Sequence, residues 1–208
     1  MKRKLSLVCL LLGGLLLAAA AGLAGYFLVE DRAASAASVE LTEQIVETVA
    51  PMQQEMKQAE SLPASRQVIP DYVLNPEIEM PRLTVDGYDC IGVVEIPTLG
   101  KKLPVISQWS YEALRISPCR YDGSAYTGDL IIAAHNYISH FADLSRLQPG
   151  ERVTFTDVEG NVFAYDVTEV TTVTPDAVEE LKSGDWDLTL FTCTFGNSYR
   201  VVVRCRLV

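Results

Sequence analysis

Apolar and polar positions follow three successive regimes along this chain. Residues 5–29 (LSLVCLLLGGLLLAAAAGLAGYFLV) carry no charge, and an apolar run of that length can cross a bilayer as one helix. Residues 38–61 read as a second helical stretch, with Val39, Ile45, Val46, Val49 and Met52 recurring at roughly helical spacing among Gln, Glu and Lys. Pro51 is expected to kink or divide it, and a stalk that lifts the following domain is the favoured reading. Residues 62–82 are punctuated by Pro63, Pro70, Pro76 and Pro81 without a clear period, which predicts an extended connector on the surface.

From residue 83 onward the pattern changes to short β-rich runs. Residues 91–96 (IGVVEI) and 103–106 (LPVI) bracket a Pro-Thr-Leu-Gly turn, and residues 129–134 (DLIIAA) form a continuous apolar run expected of a strand buried on both faces. Residues 152–157 (RVTFTD) and 162–173 (VFAYDVTEVTTV) alternate and are joined through Glu159, Gly160 and Asn161, a hairpin signal. Residues 188–193 (LTLFTC) and 199–208 (YRVVVRCRLV) supply two more strands, while 111–116 and 141–147 read as short helical connectors. The pattern predicts an all-β barrel or sandwich with short helices. It divides the chain into a tag (1–4), a transmembrane anchor (5–29), a helical stalk with linker (30–82) and a β-rich domain (83–208).

Charge orients this arrangement. Lys2, Arg3 and Lys4 precede the apolar run and Glu30 and Asp31 follow it, which places the N-terminus in the cytoplasm and the remainder outside. A cleaved secretory signal is the competing reading, since residues 33–37 (AASAA) are small, but a signal's apolar region spans only about 7–15 residues. Cys9 lacks the small residues that precede a lipidated cysteine. The chain's net charge is −10, and removing the three cytoplasmic cations leaves 14 basic against 27 acidic residues. That balance argues against nucleic acid or an anionic surface as partner. Outside the apolar run stand Cys90, Cys119, Cys193 and Cys205, with no CxxC spacing for zinc or redox work. Cys90 and Cys119 flank turns, and their pairing in a disulfide stays open. No acidic cluster has calcium-loop spacing, and neither metal nor cofactor is implied.

Few residues can carry chemistry. His135 closes the strand DLIIAA, where a side chain leaves the core for the rim, and His140 follows in a loop. Cys193 ends LTLFTC at a strand–loop junction, which leaves it partly exposed, whereas alternation places Cys205 with Val201, Val203 and Leu207 as a small core hydrophobe. Arg200 opens the final strand across a short turn from Cys193. A fixed positive charge there lowers a thiol's pKa and can hold a developing oxyanion. Arg204, two positions further along the same face, is its rival. A rim His, a rim Cys and a nearby Arg together follow the logic of a thiol acyl transferase.

These segments also resemble the sortase family. Residues 88–106 (YDCIGVVEIPTLGKKLPVI) are similar to the family's opening strands, GDLIIAAHN (128–136) to its histidine segment with Ala134 in place of the commoner Gly, and LTLFTCT (188–194) to its nucleophile segment. NSYR (197–200) matches its arginine position, and LQPGERVTFTDVEGNVFAYDVTEV fits its central hairpin. The resemblance implies an eight-stranded β-barrel and a two-step transpeptidation. Cys193 would attack a Thr–Gly type bond in a C-terminal sorting signal, His135 would act as acid and base, Arg200 would hold the oxyanion, and Thr192 would contribute substrate contact. The implied partners are surface proteins or pilins bearing the signal, a peptidoglycan-precursor or pilin amine as acceptor, and the membrane. The family's Asp-Pro-aromatic lid signature is absent from residues 62–82, which weakens a pilus-assembling assignment. A secreted cysteine protease using water, and a silent membrane-tethered binding domain, are the rival readings.

Overall fold

The computed structural model describes residues 2–60 and 69–208. Residue 61 of the expected stalk helix and 62–68 of the expected connector lie outside the described residues.

Nine strands form one sheet: β1 (Leu83–Val85), β2 (Tyr88–Ile96), β3 (Lys101–Ile106), β4 (Cys119–Asp122), β5 (Leu130–Ala134), β6 (Arg152–Asp157), β7 (Val162–Val173), β8 (Leu188–Cys193) and β9 (Arg200–Leu207). Their order is β1-β2-β3-β4-β5-β8-β9-β7-β6, and an additional β2–β6 pairing closes the ring. Among the described residues β1 pairs only with β2 and hangs outside this ring, so the barrel proper has eight strands, the number the resemblance implies. Of the two all-β forms the sequence pattern allows, it is the barrel. Closure removes the open edges that would otherwise invite pairing with other chains. Gly92 permits it. There β2 crosses so close to β6 that a Cβ would stand 2.1 Å from the Thr156 carbonyl oxygen, and the β2–β3 register shifts between Cys90 and Gly92.

The barrel is buried on both surfaces along β2 and β5, which explains their unbroken apolar runs. Ile91, Val94, Ile132, Leu190, Val203 and Cys205 fill the interior. Cys90, Val93, Ile106, Cys119 and Ala133 face outward. That outer face is covered by α1 (Lys2–Glu60), a single 59-residue helix. Leu41, Ile45 and Val49 are at most 3% exposed and lie at four-residue spacing, one stripe pressed onto the sheet. The small residues Ala34 and Ser38 let the helix approach closely, and the Ser38 hydroxyl meets the Ser117 hydroxyl at 3.0 Å.

Two expectations are corrected here. The helical stretch is not a free stalk but packs along the barrel, with Val39 and Met52 outside the buried stripe. Pro51 does not divide it. One lost backbone bond is outweighed by the packed turn before it and by the helix-favouring run MQQEMKQ after it.

The connector is also more than an extended strap. Residues 71–74 form α2 (Asp71–Leu74), Tyr72 stacks on Tyr126 at 4.6 Å, and Met80 is buried in the barrel core. Tyr126 precedes β5, so this contact closes the barrel end opposite the tips of β5 and β8. Beside it the buried Asp157 carboxylate accepts from the backbone N–H groups of Glu159 and Asn161, from Asn161 Nδ2 and from Tyr126 Oη, which fixes the β6–β7 turn. Two further short helices are α3 (Tyr111–Leu114) and α4 (Val178–Lys182). The expected connector at 141–147 is a chain of turns with a 3-10 turn at Leu144–Arg146.

Candidate active site

The sheet register places three of the chemically capable residues in one row. β5 and β8 run parallel, with Ala134 opposite Thr192 as the last pair. His135 and Cys193 are therefore next in register and project to the same, outer face. β8 and β9 run antiparallel, with Cys193 opposite Arg200, so those two side chains rise from neighbouring Cα positions with their Cβ atoms about 5 Å apart. The tight turn between them sets this register. The Thr194 N–H donates to the Tyr199 carbonyl oxygen (2.9 Å), and the Tyr199 N–H donates to Thr194 Oγ1 (3.1 Å). Gly196 and Asn197 take left-handed φ values of 80° and 58°, conformations that glycine and asparagine tolerate best.

All three residues are partly exposed, which separates them from every other candidate. Cys90, Cys119 and Cys205 are buried free thiols, and burial pushes each to about 12. Cys90 and Cys119 each stand opposite Ile106, on either side of β3. Two strand spacings of about 4.8 Å separate them, beyond the Cα reach of a disulfide. Arg204 is 5% exposed; its Nη1 donates to the Leu181 carbonyl oxygen (2.7 Å) and to Thr189 Oγ1 (2.9 Å). It is committed to holding α4 against the sheet. Arg200 donates to the Tyr199 carbonyl oxygen (3.3 Å) and enters no salt bridge among the described residues.

Thr192 requires a correction. It is 1% exposed, and its hydroxyl donates to the Ala134 carbonyl oxygen at 2.8 Å. Adjacent to Cys193 on the strand, it points to the opposite face, so it ties β5 to β8 and offers no surface to a substrate.

The structure adds residues that no sequence signal pointed to. Desolvation holds His135 below its ordinary value, the Arg115 charge acts in the same direction, and Glu30 opposes them. A neutral imidazole is thus favoured, suited to accepting a proton from a neighbouring thiol. Tyr137 lies against His135 with ring centroids 5.0 Å apart. On the outer face of β8, Phe191 meets Tyr121 edge-on at 5.2 Å, and Tyr121 meets Trp109 at 5.5 Å, making an aromatic wall beside the row.

His140 is fully buried, and among the described residues neither ring nitrogen makes a hydrogen bond of good geometry, the Ile116 backbone offering only a weak one. Burial, reinforced by His135, pushes it down to about 4 from 6.5. Between those values the unfolded chain binds the proton and the folded chain does not, so stability falls as pH falls through that window. The loss is on the order of 3 kcal/mol. Melting curves from pH 7 to 4 are expected to show it, with a shallower slope in His140→Phe; parallel slopes would assign the acid lability elsewhere.

A closed eight-stranded barrel with a partly exposed thiol, imidazole and guanidinium aligned across three strand ends defines a scaffold suited to thiol-based acyl transfer. The family model for the sortase domain matches residues 94–208; the chain belongs to the sortase family, whose members are cysteine transpeptidases. The fold is similar to that of sortase C from Streptococcus pneumoniae, with 24% identity and a TM-score of 0.57 over 81% of this chain and 96% of that one. Sortase C1 from Streptococcus agalactiae is 26% identical, with a TM-score of 0.53 over 78% and 88% of the two chains. Clostridium perfringens sortase C, solved with the C-terminal cell wall sorting motif, is 24% identical, with a TM-score of 0.52 over 81% and 90%. Comparison with curated proteins finds no match.

Proposed function

We propose that this chain is a membrane-anchored transpeptidase that cleaves a C-terminal sorting signal through a thioacyl intermediate on Cys193. The observation that carries this reading is the alignment of His135, Cys193 and Arg200 across β5, β8 and β9. The sorting motif in the C. perfringens structure supports a signal-bearing protein as donor.

The Cys193 thiol passes its proton to the neutral His135 as sulfur attacks the scissile carbonyl carbon, and Arg200 holds the oxyanion. The C–N bond then breaks, and His135 gives the proton to the leaving amine, leaving a thioester. An acceptor amine, from a peptidoglycan precursor or a pilin, attacks that thioester as His135 takes its proton, and the returning proton regenerates the thiol. The apolar helical span, unburied by the barrel and long enough to cross a membrane, anchors the enzyme with its N-terminus in the cytoplasm and the barrel outside.

The test follows intact mass. The full chain, mixed with a panel of sorting-signal peptides, is expected to gain the mass of the cleaved peptide and to lose it when an amine is added. Discharge by water at an unchanged rate, with no amine product, would make the enzyme a protease. No adduct with any peptide, in a folded chain whose Cys193 resists alkylation, would leave a binding domain.

A further inference from the structure

His135 is the first residue beyond the sheet ladder on β5, whose last pair is Ala134 with Thr192. Its position therefore depends on how the following loop is held. Within the loop, His140 N–H and Ala142 N–H both donate to the Tyr137 carbonyl oxygen (3.0 and 3.1 Å), and Phe141 N–H donates to that of His135 (3.3 Å). These bonds make the loop compact without fixing it to the barrel.

Asn136 Nδ2 donates to the Thr194 carbonyl oxygen (3.4 Å) and Phe141 is fully buried in the barrel core. Two further fixing side chains come from α1, where Asp31 stands 108 residues before Ser139 in sequence. Asp31 Oδ1 accepts from both the Ser139 N–H (3.0 Å) and the Ser139 hydroxyl (2.9 Å). Glu30 Oε2 accepts from the Tyr137 hydroxyl at 3.4 Å, and Tyr26 donates to the other oxygen of the same carboxylate. Tyr137 in turn lies against the His135 ring, and Lys101 of β3 donates to the Ile138 carbonyl oxygen. A carboxylate that accepts two hydrogen bonds from one residue restrains its backbone as well as its side chain.

We propose that Glu30 and Asp31 are positioning residues for His135: through Tyr137 and Ser139 they hold the loop from which the imidazole projects, so the base of the apolar helix forms part of the active site. This rests on the reading of His135 as acid and base. Displacement of a catalytic group by about 1 Å can cost on the order of 100-fold in rate, and one lost pair of loop anchors is expected to cost part of that.

The test compares Asp31→Ala and Asp31→Asn with wild type in the full chain reconstituted in bilayer nanodiscs. Hydrogen exchange at the amides of residues 137–141 is expected to quicken in Asp31→Ala and to stay near wild type in Asp31→Asn, whose amide oxygen still accepts from Ser139. With saturating peptide, well below the melting temperature, kcat is expected to fall about 10-fold in Asp31→Ala with KM within about two-fold, and to recover in Asp31→Asn. Unchanged exchange at Ser139, or quickened exchange with wild-type kcat, would overturn the proposal. A wild-type chain that turned over no peptide would sink the proposed reaction instead, and the exchange comparison would still decide whether Asp31 holds the loop.

Discussion

Cys193→Ala is expected to give a folded chain that forms no covalent adduct with any sorting peptide, whereas Cys205→Ala is expected to turn peptide over and melt earlier. The two thiols sit on adjacent strands but in opposite surroundings. Cys193 is partly exposed at the strand end beside Arg200 and His135. Cys205 is fully buried in the barrel interior with its pKa pushed up to about 12, so at neutral pH it is a protonated, inert filler. Its truncation removes buried volume and should cost about 1–2 kcal/mol, read as an earlier unfolding midpoint in urea. Loss of adduct formation in both variants, with folding intact, would take the nucleophile away from Cys193.

The second large effect separates two arginines on one face of one strand. Arg200→Ala is expected to lower kcat/KM by about 10²–10³-fold with little change in stability, because its guanidinium stands at the partly exposed strand end and, among the described residues, holds one neighbouring carbonyl. Arg204→Ala is expected to do the reverse. That side chain is buried and joins Glu180, Leu181 and Thr189; removing it leaves buried acceptors unpaired, at roughly 2–4 kcal/mol. Kinetics and urea denaturation on both variants decide the matter. A larger catalytic loss at Arg204 would move the oxyanion role there.

Much of the barrel was legible because β-strands write their geometry into alternation, and the longer ones did so clearly. β1 and β4 escaped notice at three and four residues each, too short for a period to show. Parity contained one answer that went unused: if Cys193 faces outward, Thr192 beside it must face in, as it does. The same parity cannot distinguish Arg200 from Arg204, since what separates them is α4 lying over one end of the face. α1 misled for a related reason. Its buried stripe begins at Ala34 and Ser38, small residues that carry little hydropathy, so the pattern looked like a solvated stalk. Of the site, the row of three could be placed by chain order and strand ends. Glu30 and Asp31 could not, because their relation to His135 exists only once the helix is laid on the barrel.

That helix has a mechanical consequence. α1 continues without a break from Lys2 past the contact of Asp31 with Ser139, and so has no hinge between the apolar run and the site. With Val29 at the edge of the hydrocarbon, a rise of 1.5 Å per residue puts Asp31 about 3 Å above it. In the membrane-anchored enzyme proposed above, reach would be set by residue count rather than by a tether, and the reaction would be confined to a thin layer at the headgroups. Each residue inserted between Val29 and Glu30 would raise the barrel by about 1.5 Å and turn it by about 100° relative to the span. A substrate whose scissile bond stands far from the lipid surface would have to bend down to meet it.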